Sequence, residues 1–324
     1  MPRTLVVAPN WIGDALMAQP LLARLHEKTP GLKLDVLAPE WVAPVVRRMA
    51  EVEDVITVPF RHKALQLGAR WKIARQLKAR GYQQAIVLPN TWKSALVPFF
   101  AGIALRSGYV GEARYGLLNS VYRDNEAPMP LHYARLSEAP GGDISEPLPA
   151  PRLRTEPQDI EAARRRFRLQ GGYAVFCPGA EYGPAKRWPY FGELSRRLKA
   201  QTVVLGSAND REAAQGILGH DLVGKTTLDE AIALIAGADY VVTNDSGLMH
   251  IAAALGRPQV ALFGSSSPSH TPPLSPAARV LWLGVECSPC FQRECPLGHF
   301  RCMREMTVDS VIEEIGKLPG KLSA

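Results

Sequence analysis

Short apolar runs separated by small polar loops recur along the chain. Leu5-Val-Val-Ala8, Leu34-Asp-Val-Leu-Ala38, Val55-Ile-Thr-Val58 and Ala85-Ile-Val-Leu88 are four of them in the first half. Runs this short and this continuous predict strands buried on both faces, as in a parallel sheet. Between them lie stretches with helical spacing. Residues 14–26 carry Leu16, Met17, Leu21, Leu22 and Leu25, and Pro20 within them predicts either a kink or the first turn of a short helix. Residues 66–80 predict a basic amphipathic helix. The rhythm breaks over 124–158, where Pro128, Pro130, Pro140, Pro147, Pro149, Pro151 and Pro157 gather with Gly141 and Gly142. Neither a helix interior nor a central strand tolerates that density, which predicts a connection between two domains, 1–157 and 158–324.

The alternation then restarts. Helical spacing covers 158–168, 191–198, 228–235 and 248–255, and apolar runs cover 174–177, 202–205, 240–243 and 260–263. Strand, small polar loop and helix in repetition predict an α/β fold built from doubly wound parallel sheets, two Rossmann-like domains in all. Ligands of such sheets bind beyond the carboxyl ends of the strands, so a ligand cleft between the domains is expected.

Composition narrows the class. A chain of 324 residues suits two domains of ~150 residues, and no run approaches the ~18 apolar residues of a membrane span. The first residues lack the length and cleavage site of a signal peptide, which predicts a cytoplasmic protein. The net charge of +7 is uneven: residues 1–170 hold 24 Lys and Arg against 16 Asp and Glu, the remainder 14 against 15. The first half thus suits an anionic partner or is simply a solvated basic surface. Zinc-finger, RRM and KH signatures are missing, and aromatic residues do not interleave with the cations, so nucleic acid is not expected.

Three loops carry residues fit for chemistry. Asn10-Trp-Ile-Gly-Asp14 follows the first strand; Gly13 permits close backbone approach, and Asp14 reads as a general base or as a plain helix N-cap. Pro178–Pro189 is rich in glycine and carries Lys186 and Arg187, which suits a diphosphate or a solvated basic loop; it is neither a Walker loop nor a GxGxxG fingerprint. In Thr243-Asn-Asp-Ser-Gly-Leu-Met-His250, a strand gives way to a helix whose first N–H groups, at Ser246, Gly247 and Leu248, suit a phosphate. Asp245 there reads as an acceptor for sugar hydroxyls or as an N-cap, and His250 as an anion donor or a buried core histidine. Cys287, Cys290, Cys295 and Cys302 follow a C-x2-C-x4-C-x6-C spacing. Either a structural metal, with His299 as a further ligand, or free thiols packing a loop satisfies it. Cys177 reads as a small buried hydrophobe.

Taken together, NWIGDALMAQPLL at 10–22, CPGAEYGPAKRWP at 177–189, TNDSGLMHIAAALGRP at 243–258 and CSPCFQRECPLGHFRCM at 287–303 make the chain resemble glycosyltransferase family 9, the ADP-heptose:lipopolysaccharide heptosyltransferases, and most closely its type II members. The resemblance implies a GT-B fold, two facing Rossmann-like domains with acceptor on the first and nucleotide sugar on the second. It implies inverting transfer of L-glycero-D-manno-heptose from ADP-heptose to the first heptose of the inner core on Kdo2-lipid A, at the inner face of the inner membrane, with no cofactor required. It makes Asp14 the base and assigns Gly13, Lys186, Asp245, Ser246, Gly247, Leu248 and His250 to the donor. Glu181-Tyr182 depart from the Thr pair of type I enzymes. Arg61, His62, Lys63, Lys93 and Arg123 are candidates for acceptor phosphates and carboxylates. Two other functions share these features: an isomerase or epimerase of free sugar nucleotides, and a sugar-binding protein without catalysis.

Overall fold

The structure is a computed structural model that describes residues 2–60, 64–123 and 126–319. It divides into two compact units, Met1–Ala150 and Pro151–Ala324. Unit 1 runs β1 (Arg3–Val7), α1 (Ile12–Met17), α2 (Gln19–Lys28), β2 (Lys33–Pro39), α3 (Ala43–Val46), β3 (Asp54–Val58), α4 (Leu67–Lys78), β4 (Gln84–Val87), α5 (Leu96–Phe100), β5 (Leu105–Tyr109), β6 (Ser120–Tyr122) and α6 (Met129–Ala134). Its strands pair in parallel in the order β3-β2-β1-β4-β5-β6. Leu5, Val7, Leu37, Ala85 and Val87 form one face of that sheet's core, closed by Ala74 and Leu77 of α4 and Val97 of α5.

Unit 2 runs α7 (Pro157–Arg166), β7 (Ala174–Cys177), α8 (Phe191–Arg197), β8 (Thr202–Val204), β9 (His220–Asp221), α9 (Leu228–Ala236), β10 (Tyr240–Asn244), α10 (Gly247–Ala254), β11 (Gln259–Phe263), β12 (Ala278–Trp282), α11 (Arg301–Arg304) and α12 (Val308–Gly316). Its strands are also all parallel, in the order β12-β11-β10-β7-β8-β9. Counted within each unit, both sheets follow the order 3-2-1-4-5-6 of dinucleotide-binding folds. The order reverses between β1 and β4 in unit 1 and between β7 and β10 in unit 2. Chain leaving those strand ends splays to opposite faces and leaves a crevice at each reversal.

Several expectations change in detail. The helical stretch after β1 is broken at Ala18, and Pro20 takes the second position of α2, where its missing N–H costs nothing. The proline-rich stretch is not wholly irregular: Met129–Ala134 is helical, with Pro130 in its first turn. Proline is excluded from helix interiors, not from their starts, so density alone misled there. β5 was missed because Arg106, Ser107 and Gly108 interrupt its apolar character, although Ser107 through Tyr109 are buried. Among the described residues no helix is long and apolar enough to cross a membrane.

Candidate functional site

At the strand reversal of unit 2, Asn244 ends β10 fully buried. Its Oδ1 accepts the Trp188 N–H at 3.1 Å and its Nδ2 donates to the Pro178 carbonyl at 2.7 Å, fastening both arms of the loop that follows β7. The next residue, Asp245, is buried, and its Oδ2 accepts from Lys186 Nζ at 2.5 Å and from Ser266 Oγ at 2.6 Å. Lys186 Nζ also lies 4.8 Å from the centre of the Tyr182 ring, and the Arg293 guanidinium lies 5.2 Å from the same ring. The Tyr182 hydroxyl donates to the Phe291 carbonyl. Two cations against one aromatic ring add positive charge around Asp245.

Gly183 makes this crossing geometrically feasible. Its φ is +148°, and a Cβ there would stand 2.4 Å from the Arg293 carbonyl oxygen, which accepts the Ala185 N–H at 3.1 Å. Any side chain at 183 would separate the two loops.

α10 starts beside this cluster. Ser246 is its N-cap residue, with extended backbone and no side-chain cap hydrogen bond, so Asp245 is not the cap. Ser246, Gly247 and Leu248 are partly accessible, and an uncapped amino end carries partial positive charge. His250 lies one turn further in and is buried. Burial pulls its pKa down to about 4; Asp245 opposes the shift and Lys186 adds to it. Burial therefore favours the neutral imidazole at pH 7, which can still donate one hydrogen bond through its ring N–H.

In unit 1, Trp11 rather than Asp14 occupies the N-cap position of α1, and Asp14 is third in the helix, where a carboxylate is favoured by the helix dipole. Gly13 is helical and takes no left-handed backbone conformation. Asp14 is half-buried and accepts a hydrogen bond from the hydroxyl of Tyr133, on α6. Burial and this neighbouring carboxylate push the Tyr133 hydroxyl well above its ordinary range, so it stays a donor. The proline-rich stretch read as a linker thus supplies the partner of the candidate base.

The reversal between β1 and β4 opens a cavity of about 440 Å³ lined by Ala8, Asn10, Arg70, Thr91, Trp92 and Lys93, among others. Its floor is held by Arg114, which is buried and donates to the carbonyls of Tyr109 (2.7 Å) and Pro89 (2.5 Å) and to Ser94 Oγ (3.1 Å). Burial lowers its pKa to about 10, which still leaves it charged at neutral pH. Of the acceptor candidates, Lys93 lines this cavity, whereas Arg123 lines a different one of about 410 Å³ with Tyr122, Arg135 and Asp143. The structure does not bring these two together. Arg61, His62 and Lys63 lie outside the described residues.

All five cysteines are free thiols. Cys177 is fully buried in β7, and burial raises its pKa. Cys302 is buried in α11, its thiol pushed up to about 11 by burial and, secondarily, by Cys287, Cys290 and Cys295 nearby. Cys295 Sγ accepts the Phe300 N–H at 3.4 Å and lies 3.9 Å from His299 Nδ1. Among the described residues no group of three or more His, Cys, Asp or Glu is placed to hold a metal ion.

Sequence reasoning missed Tyr133, Tyr182, Asn244, Ser266 and Arg293. Tyr182, Asn244 and Arg293 sit inside segments that drew attention for other residues, Tyr133 lies in the stretch read as a connection, and Ser266 has no local motif.

Comparison with known proteins identifies the family. The family model for glycosyltransferase family 9 (heptosyltransferase) matches residues 70–301. Lipopolysaccharide heptosyltransferase 2 of Escherichia coli K12 is 42% identical over 98% of this chain and 98% of its own length. Lipooligosaccharide heptosyltransferase 2 of Haemophilus influenzae is 38% identical over 98% and 99%. The solved structure of E. coli ADP-heptose lps heptosyltransferase II superposes with a TM-score of 0.86 at 39% identity, covering 97% of this chain and 98% of that one. With two Rossmann-like units of the GT-B class and this similarity along its whole length, the chain belongs to glycosyltransferase family 9, the heptosyltransferases, and is a glycosyltransferase.

Proposed function

We propose that the chain transfers L-glycero-D-manno-heptose from ADP-heptose to the first heptose of the lipopolysaccharide inner core, with inversion at the anomeric carbon. The observation that carries the reading is the constellation of unit 2: Lys186, Asp245 and the uncapped start of α10 meet at the strand reversal, in a chain 42% identical to a lipopolysaccharide heptosyltransferase 2. Such a place suits a nucleotide diphosphate. Lys186 and the N–H groups of Gly247 and Leu248 stabilise the β-phosphate as the bond to the sugar breaks and the electron pair leaves with ADP. Asp245 and Ser266 hold Lys186 in position and offer acceptors to heptose hydroxyls. His250, neutral and packed behind, supports the start of α10.

Unit 1 takes the acceptor. Asp14 removes the proton from the attacking hydroxyl, and Tyr133 fixes the orientation of its carboxylate. Lys93 and Arg70 outnumber Glu112 in the lining of the cavity of unit 1, which suits acidic acceptor groups. The acceptor is a heptosylated Kdo2-lipid A, so the enzyme works in the cytoplasm in peripheral contact with the inner membrane. The reading requires no metal or organic cofactor, since Lys186 and the helix start supply the positive charge that the leaving group needs.

The test is transfer from ADP-heptose to mono-heptosylated Kdo2-lipid A, followed by mass spectrometry. The expected result is addition of one heptose, with turnover of Asp14→Asn lower by about 10²–10⁴-fold and its ADP-heptose affinity unchanged. Product formed from ADP-heptose alone would assign the chain to isomerases instead, and unaltered turnover in Asp14→Asn would remove Asp14 as the base.

A further inference from the structure

The basic excess of unit 1 is concentrated. Residues 55–111 hold nine Lys and Arg and not one Asp or Glu. Several of the large apolar side chains that unit 1 leaves exposed lie in the same stretch, among them Leu67 (49%), Trp71 (51%) and Phe99 (42%), while Trp11, Trp41 and Tyr115 are exposed elsewhere. α4 and α5 pack side by side. Leu67 and Trp71 are one turn apart on the outer face of α4, and the Trp71 ring meets Phe100 edge-on at 5.2 Å, with Phe99 at 5.9 Å from Phe100. Lys72, Arg75 and Lys78 are exposed on the same helix, which carries no acid. The inner side of α4 is different: Ala74 and Leu77 are buried in the core.

We propose that unit 1 docks on an anionic phospholipid surface through the outer face of α4 and α5, with Leu67, Trp71 and Phe99 entering the headgroup layer and Lys72, Arg75 and Lys78 pairing with lipid phosphates. This deepens the reading above, in which the acceptor is a membrane glycolipid, and rests on it for the choice of partner. The chemistry distinguishes the occupant. Protein interfaces are depleted in lysine at their centre, whereas aromatic side chains ringed by Lys and Arg are the composition that settles at a bilayer surface. A second copy of the chain would bring the same three cations against themselves, which like-charge repulsion disfavours. An anionic bilayer supplies both halves of the match: headgroup phosphates for the cations and an apolar boundary for the rings.

The test is co-sedimentation of the full chain with phosphatidylcholine vesicles with and without phosphatidylglycerol, free of acceptor and of sugar nucleotide. The wild type is expected to pellet with the anionic vesicles, less so as salt rises, and to stay largely in solution with neutral ones. The triple variant Lys72→Gln, Arg75→Gln, Lys78→Gln should partition about 100-fold more weakly to the anionic vesicles at low salt, and Leu67→Ser with Trp71→Ser about tenfold. Brominated acyl chains should quench tryptophan emission of the wild type and quench it less in Trp71→Phe, a readout that survives if a multiple variant folds poorly. Equal partition of wild type and variants, or no partition of the wild type, overturns the proposal. So does a wild-type dimer that these substitutions dissociate, because the face would then belong to a second copy. Both variants should still transfer heptose to a delipidated, water-soluble acceptor. A wild type that binds vesicles but transfers nothing refutes the activity and leaves the docking face standing; transfer without vesicle binding does the reverse.

Discussion

Lys186, which we propose as a contact of the donor diphosphate, is paired with a carboxylate that would compete with that ligand. In the free protein its charge is compensated by Asp245 in a half-enclosed pair, so a phosphate gains its full attraction only by sharing that ammonium. Lys186→Ala removes the attraction and leaves Asp245 buried with only Ser266, so ADP affinity in calorimetry should fall at least tenfold, about 1.4 kcal/mol or more. An unchanged affinity would take Lys186 out of the phosphate site. His250 makes a second prediction. Its pKa is about 4 in the fold against 6.5 in the unfolded chain, so between those values the unfolded state binds the extra proton. Stability is full above pH 6.5 and falls as pH drops toward 4, by about 2 kcal/mol between pH 7 and pH 5. Urea melts at the two pH values, compared with His250→Gln, check this; the variant should lose less. Asp14, Lys186 and Asp245 drew attention in the sequence because each stands on the chain that follows a strand, one to nine residues from its end. Tyr133, Ser266 and Arg293 drew no role, because what brings them in is contact with residues 21 or more positions away, and no spacing in the chain encodes it.

The strands were readable wherever burial on both faces demanded unbroken apolar runs, as in β1, β4, β7, β10 and β11. They escaped notice where the sheet runs out: β6 has three residues, β9 two, and β12 is largely accessible, so neither length nor hydrophobicity marks them. Helices were read from their apolar spacing, and α9 carries a start signal as well. Thr227 caps α9, accepting the Glu230 N–H at 3.2 Å while the Glu230 carboxylate accepts the Thr227 N–H at 2.8 Å, a reciprocal pair visible as Thr-x-x-Glu. The loop between β7 and α8 obeys another rule, that of close approach. Gly183→Ala should force it off the Arg293 carbonyl, lowering stability by about 1–3 kcal/mol and loosening Lys186 along with it. Thermal melting and ADP titration of that variant should therefore fall together; loss of one without the other would separate the crossing from the site.

Each unit has its own sheet and its own core, Leu5, Val87 and Val97 in one and Phe176, Val242 and Leu262 in the other. A nucleotide seated only on unit 2 should protect that unit alone. Calorimetric scans with ADP at about 100 times its dissociation constant should raise the stability of one of two transitions by about 2.7 kcal/mol and leave the other where it was. A single transition moving as a whole would show that the units melt as one. Fold class was the most legible property at this scale, since the repeating order of strand and helix survives any local misreading. The boundary was less so, because α6 borrows proline-rich chain that composition alone assigns to a connection.

The identical winding of both sheets has a consequence for how recognition can be rewritten. In each unit several of the candidate residues stand on the chain that follows the first and the fourth strands, with the apolar core of the sheet behind them. Exchanging residues 9–14 and 89–94 for those of a relative that prefers another recipient should therefore re-specify where the heptose goes, provided Pro89 and Ser94, which the buried Arg114 holds, are kept.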